Sequence, residues 1–213
     1  MDSASGNLKM ARDNEFQAVM PVRGKILNTQ KATLAQIQKN AEIMTMINAF
    51  GLTIDTKTLK VTYKPEDLRY GKIIIMSDAD VDGAHIKNLF YTFIWNFCPQ
   101  LIEDGYVYAG VPPLYKVTIG KKYKYIKNDE ELEKFRIENE GKKYIVNRMK
   151  GLGEMDVDET EETLTNPDQR IIKQITIEDT AAATKLFDDL MGSAVNPRKD
   201  YIKEHSKEAT WDI

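Results

Sequence analysis

The sequence predicts an α/β fold, a parallel sheet flanked by helices with a smaller α+β extension towards the C-terminus. Three observations carry this reading. Lys72-Ile73-Ile74-Ile75-Met76 is a short unbroken apolar run rich in β-branched residues, the pattern of a strand buried on both faces of a sheet. Acidic residues follow at once in Asp78-Ala79-Asp80-Val81-Asp82-Gly83; Ile86, Leu89, Phe90, Phe93, Ile94 and Phe97 then recur at helical spacing with one broad apolar face. A second apolar strand, Tyr106 to Val111, stops at Pro112-Pro113, because proline withholds a backbone donor and restricts its predecessor. The break divides the chain into a domain over 1–111 and an extension over 112–213.

The remaining elements follow in order. Asp2-Ser3-Ala4-Ser5-Gly6 reads as a tight turn of small polar residues. From Lys31 to Phe50, apolar residues recur every three or four positions, which predicts two short helices divided near Asn40 and closed by Gly51. Beyond Pro113 the pattern predicts a hairpin around Gly120, a charged helix near Glu130 to Arg136, and a strand from Tyr144 to Met149. That strand runs into Lys150-Gly151-Leu152-Gly153-Glu154. A helix near Glu159, a strand from Ile171 to Ile177, an amphipathic helix from Asp179 to Met191 closed by Gly192, and a last helix from Pro197 to Ser206 complete the chain.

At 213 residues, with 42% hydrophobic and 30% charged, the composition is that of a globular protein with a real core. No apolar run approaches the roughly 20 residues that cross a bilayer, and no signal-like segment opens the chain, so a cytoplasmic protein with no membrane partner is expected. Cys98 stands alone among Trp95, Phe97 and Pro99, which excludes an internal disulfide and a cysteine zinc site and reads as a small buried residue. The net charge of -3 argues against a uniformly basic nucleic-acid binder, yet Arg12, Arg23, Lys25 and Lys31 cluster early and leave room for a local basic face.

Chemistry concentrates where the first strand ends. Asp78, Asp80 and Asp82 leave the carboxyl end of a buried strand, which is where open α/β sheets place ligands. Like charges crowd there only with a counter-charge, and hard oxygen ligands suit Mg²⁺, held by one or two carboxylates with water. A solvated acidic turn is the plain alternative. An EF-hand loop shares the opening Asp-x-Asp-x-Asp-Gly, but its twelfth position, where a bidentate glutamate belongs, is Leu89. A phosphotransferase with Asp78 as nucleophile and Asp80 as acid has the same local spacing.

Several motifs in fixed order add what spacing does not. Asp2-Ser3-Ala4-Ser5-Gly6, Pro21-Val22-Arg23-Gly24-Lys25-Ile26-Leu27-Asn28, Ile75 to Ile86, Pro112-Pro113-Leu114-Tyr115-Lys116, Lys150 to Met155, and Asn196-Pro197-Arg198-Lys199 resemble the B subunits of bacterial type IIA DNA topoisomerases, DNA gyrase and topoisomerase IV. The resemblance runs over essentially the whole chain. It implies a Toprim, Rossmann-like domain whose acids bind the Mg²⁺ used to cleave and reseal DNA, with Mn²⁺ as a substitute. It implies double-stranded DNA as one partner and an A subunit carrying the attacking tyrosine as the other, in an A2B2 enzyme. ATP would enter only through domains outside this chain.

Residue by residue, the resemblance gives Asp78, Asp80 and Asp82 as metal ligands. Arg23 and Lys25, with Lys150 and Gly151, are expected to meet DNA, where cations neutralise phosphates and glycine permits close approach. Asp78, Asp80, Lys25 and His85 form the expected catalytic set, although His85 has a second reading as a residue of the first helical turn. The run Asp156, Asp158, Glu159, Glu161, Glu162 reads as a solvated helix start. Two departures stand out. The family motif opens Glu-Gly-Asp-Ser-Ala, whereas Met1 precedes Asp2 here, so a ligand glutamate is expected to be missing, metal binding weakened and cleavage lost. Met149 replaces a tyrosine usual in the family. Other Toprim enzymes of nuclease or primase type, and a non-catalytic DNA-binding module, are the rival functions. Arg23 leans to topoisomerase IV and the terminal Trp211-Asp212-Ile213 to gyrase.

Overall fold

Packing, rather than local preference, decides the structure of the N-terminus. The computed structural model of the chain describes residues 2–55, 61–149, 151–178 and 180–208. Helix α1 (Asp2–Ala11) stands where the sequence predicts a turn. Small polar residues favour turns when nothing competes. Here Ala4 and Leu8, one helical turn apart, pack against buried Leu152, Met155 and Leu164, and Asn7 Nδ2 donates to the Met155 carbonyl at 2.6 Å. That docking selects the helix.

The periodic stretch after Lys31 resolves, as expected, into α2 (Leu34–Lys39) and α3 (Ala41–Phe50). Thr33 and Gln36 close a capping box on α2. Asn40 then ends α2 and opens α3, its side chain accepting the Ile43 N–H at 2.9 Å. Gly51 stops α3 at φ 82°, and a Cβ there would fall 2.2 Å from the Asp67 carbonyl oxygen. Next come the antiparallel pair β1 (Thr53–Ile54) and β2 (Val61–Thr62). The predicted strand, acids, helix and strand follow as β3 (Ile73–Ile75), α4 (Val81–Phe97), the short α5 (Gln100–Glu103) and β4 (Val107–Gly110).

Past Pro113, β5 (Tyr115–Ile119) and β6 (Lys122–Ile126) form the hairpin, α6 (Asp129–Glu138) follows, and β7 (Ile145–Arg148) joins the free side of β5. Val117 and Ile126 on one face of this sheet are buried with Leu132 and Phe135 of α6. Helix α7 (Val157–Thr160) starts on a capping box between Asp156 and Glu159, as the acidic run suggests, and widens into a π-helical turn over Glu161–Thr165. The Thr160 and Thr163 hydroxyls donate to carbonyls four residues back, at 2.6 and 2.7 Å, a bond that loosens regular helix geometry. Lys116 on β5 holds α7 through Glu159 at 2.5 Å, a largely shielded pair lying over the Tyr123 ring. The chain ends with β8 (Ile172–Gln174), α8 (Thr180–Met191) and α9 (Val195–Glu204). Asp179, Trp211, Asp212 and Ile213 lie outside the described residues.

Strands β3, β4 and β8 bond in that order. β8 runs antiparallel to β4, with Tyr108 opposite Gln174, a detail the apolar pattern alone does not give. The excursion that leaves after β4 returns beside it, Val111 N–H donating to the Ile171 carbonyl at 2.9 Å, and a chain that returns to its point of departure pairs antiparallel. An antiparallel edge on an α/β sheet is common.

Two compact units result, neither continuous in sequence. One comprises Met1–Lys25, Ile74–Lys87 and Val107–Gln174; the other comprises Ile26–Ile73, Asn88–Tyr106 and Ile175–Ile213. In the second, Ile43, Met46, Ile47, Phe93, Ile94 and Leu101 are fully or almost fully buried. Cys98 is buried with them, and burial pushes its thiol up to about 11, so it behaves as a packing residue. No helix among the described residues is long and apolar enough to cross a membrane.

Gly51→Ala is expected to cost about 2 kcal/mol in urea unfolding, since it combines a left-handed backbone with a clash against main chain. A loss below about 0.5 kcal/mol would show that this turn tolerates a side chain.

Candidate metal centre

The acidic segment is closed on itself before any carboxylate is considered. After β3 the buried Ser77 donates its hydroxyl to the Gly83 carbonyl at 3.0 Å. Asp80 Oδ1 accepts the Gly83 N–H at 2.7 Å, and its carbonyl accepts the Ala84 N–H at 3.0 Å, so Asp80 is the N-cap of α4. Gly83 is required by close approach: a Cβ there would lie 2.1 Å from the Asp78 carbonyl oxygen. Asp82 therefore sits in the first turn of α4 rather than in the loop.

Each aspartate has its own partner. Asp78 Oδ1 accepts the Leu152 N–H at 2.8 Å, and a Cβ added at Gly151 would lie in van der Waals range of the same carboxylate. Asp80 is held by the helix it caps. Asp82 Oδ1 pairs with Lys25 Nζ at 2.8 Å, and both side chains are exposed, at 71% and 49%. The Lys25 hydrogen bond, and then its charge, hold the Asp82 carboxyl below the ordinary range, with a smaller contribution from His85. His85 is an exposed residue of α4, and Arg23 is exposed two positions before Lys25. Lys150 lies outside the described residues.

Beside Asp78 is a small cleft lined also by Ala79, Pro112, Pro113, Met149, Gly151, Leu152 and Met155. Segments distant in sequence thus converge on one carboxylate. The sequence points to Gly151 here, but not to Leu152, which acts through its backbone and leaves no compositional signal. Lys116 likewise stands in the sequence only as part of a motif; the structure gives it a tethering role on α7.

Among the described residues, no three His, Cys, Asp or Glu side chains gather into a metal-holding group. Magnesium does not need three, because one or two carboxylates with water satisfy its octahedron. Asp78 and Asp80 suit this chemistry: both are exposed, leave the same strand end, and have one oxygen fixed by a backbone N–H. Asp82 is committed to Lys25.

Asp80→Ala is expected to lose about 1 kcal/mol of stability with the cap, whereas Asp80→Asn, which still offers an acceptor, stays near wild type. Thermal unfolding of the two variants decides, and equal stability would show that the cap is dispensable. For Asp82, whose folded pKa is depressed, the contribution of the Lys25 pair is present above the ordinary carboxylate range and is lost as pH falls below about 4. Lys25→Ala is expected to return the Asp82 titration to its ordinary position, followed by carboxylate carbon NMR; an unmoved titration would rule out the pair in solution.

Comparison with known proteins bears out the resemblance. The profile of the Toprim domain matches residues 1–109, and that of the DNA gyrase B subunit, carboxyl terminus, matches residues 141–203. The chain is 48% identical over 212 residues to the DNA gyrase B subunit of Thermus thermophilus, covering 100% of this chain and 33% of that protein. Against the DNA gyrase B subunit of Thermotoga maritima it is 44% identical over 205 residues, 96% of this chain and 31% of the other. Against that of Staphylococcus aureus it is 46% identical over 213 residues, 100% and 32% respectively. The chain spans about a third of the length of the curated relatives it matches. With more than half of its length matched by that domain, the chain belongs to the Toprim family and joins the domain to the carboxyl-terminal region of DNA gyrase B subunits.

Proposed function

We infer that this chain is the metal-binding, DNA-contacting portion of an ATP-dependent type IIA DNA topoisomerase. It works with an A subunit that carries the attacking tyrosine, in an A2B2 enzyme of the cytoplasm. The observation that carries the reading is the exposed Asp78 carboxylate at the end of β3, oriented by Leu152 N–H beside Asp80. The names of the relatives support gyrase over topoisomerase IV. ATP hydrolysis is assigned, in this reading, to a part of the subunit outside this chain.

The proposed ligands are Asp78 and Asp80, with Asp82 joining when Lys25 leaves it for DNA. When bound, Mg²⁺ or Mn²⁺ supplies charge stabilisation at the phosphodiester and its leaving oxygen. Arg23, Lys25, Lys150 and Gly151 are proposed to follow the DNA backbone, the cations through phosphates and the glycine by close approach. His85, exposed on α4, is proposed to donate to a phosphate oxygen. The division at residues 111 and 112 is kept as a functional one, with the metal ligands before it and a surface for the A subunit after it. Its support is that the Toprim match ends at residue 109.

In the full-length protein assembled with its A subunit, Asp78→Ala is expected to lower Mg²⁺-dependent DNA cleavage at least about 100-fold while DNA binding persists. Undiminished cleavage would sink the assignment. Lys25→Ala is expected to weaken binding to all DNA sequences alike and to reduce the salt slope by about one. A metal-independent DNA-binding module is the second reading, favoured by the pairing of Asp82 with Lys25. It predicts DNA binding unchanged by chelators and no cleavage in any assembly.

A further inference from the structure

Asp78 takes its hydrogen bond from a backbone 74 residues further along the chain, and that backbone is anchored. Leu152 is 7% exposed and clusters with Met155 and Leu164, each 2% exposed, with Ala4, Leu8, Met76 and Met149 packed around them. The Met155 carbonyl is tied in turn to Asn7 on α1. Gly151 is extended at φ -160° and leads into a single 3-10 turn that starts at Leu152. A side chain on Gly151 would begin 3.4 Å from Asp78 Oδ1, so its absence keeps the approach to the carboxylate open.

An exposed aspartate at a loop has several side-chain rotamers, and a ligand that must first be ordered binds metal more weakly than one held in place. We propose that Leu152 is a positioning residue for the metal: its N–H occupies one lone pair of Asp78 Oδ1 and fixes the carboxylate, leaving Oδ2 for an ion. The inference rests on the metal reading above and goes beyond it. It makes the segment matched by the gyrase B carboxyl-terminal profile part of the Toprim site, where the apolar anchor sets the angle of a charged ligand from behind.

The test exploits the place of Leu152 at the first position of its turn, where proline is tolerated, after a residue already extended as a proline requires. Leu152→Pro removes the N–H and most of the anchor, whereas Leu152→Ala removes the anchor and keeps the N–H. Mn²⁺ affinity is read by electron paramagnetic resonance on the whole chain, with folding checked by circular dichroism. Leu152→Pro is expected to bind Mn²⁺ about tenfold more weakly than Leu152→Ala; equal affinities overturn the proposal. Should Leu152→Pro fail to fold, exchange of the Leu152 amide hydrogen decides. It is expected to quicken at least about tenfold in Asp78→Ala, and an unchanged rate overturns the proposal. Asp78→Ala also separates the two claims. If it leaves Mn²⁺ affinity intact, the metal reading fails and the positioning role with it. If it weakens Mn²⁺ binding while Leu152→Pro and Leu152→Ala agree, the metal reading stands and only the positioning role falls.

Discussion

Like charges repel, and the arrangement around β3 depends on that repulsion being answered separately at each of Asp78, Asp80 and Asp82. One carboxylate is met by a distant backbone donor, one by the positive end of the helix it caps, and one by a lysine. The three answers differ in strength. A backbone donor set in an apolar cluster and a helix terminus are fixed features of the fold, whereas a solvent-exposed lysine pair is worth little in water and exchanges readily. The site therefore has a permanent half and an exchangeable half.

The permanent half explains why so much structure gathers behind one small loop. Helix α1, the turn at Leu152 and the π-helical turn at Glu161–Thr165 share a single apolar cluster. Lys116 fastens the start of α7 to β5, and the hydrogen bond and charge of Glu159 push it further towards the protonated form against the opposing effect of burial. Rigidity in the rear packing is transmitted to the carboxylate through one N–H, because close-packed apolar contacts give little under load. A mobile rear wall would leave Asp78 free to turn.

Much of this is legible in the sequence where the signal is local. Helix α3 with its stop at Gly51, the β3 strand, the α4 face and the hairpin at Gly120 each depend on neighbours within a few residues, and periodicity or turn chemistry reports those directly. The departures are non-local. At Asp2 to Gly6 the turn preference is real and is overruled by docking of Ala4 and Leu8. The antiparallel placing of β8 depends on where a long excursion returns. In the site, the aspartates declare themselves, but their partners do not: every residue except proline carries a backbone N–H, so nothing marks that of Leu152 as special. The pairing of Lys25 with Asp82 likewise needs a fold to bring two ordinary surface charges together.

The meeting of Val111 with Ile171 has its own implication for how such chains change over generations. The ends of the intervening stretch are pinned side by side, and the entropy of closing a longer loop grows only as the logarithm of its length. Residues added at the turn between β5 and β6 leave the register of β4 and β8 as it was, whereas loss of the turn at Leu152 would remove the donor that holds Asp78. The tip of the hairpin is thus the tolerant place for added chain, and the turn that reaches Asp78 is the place where length is fixed.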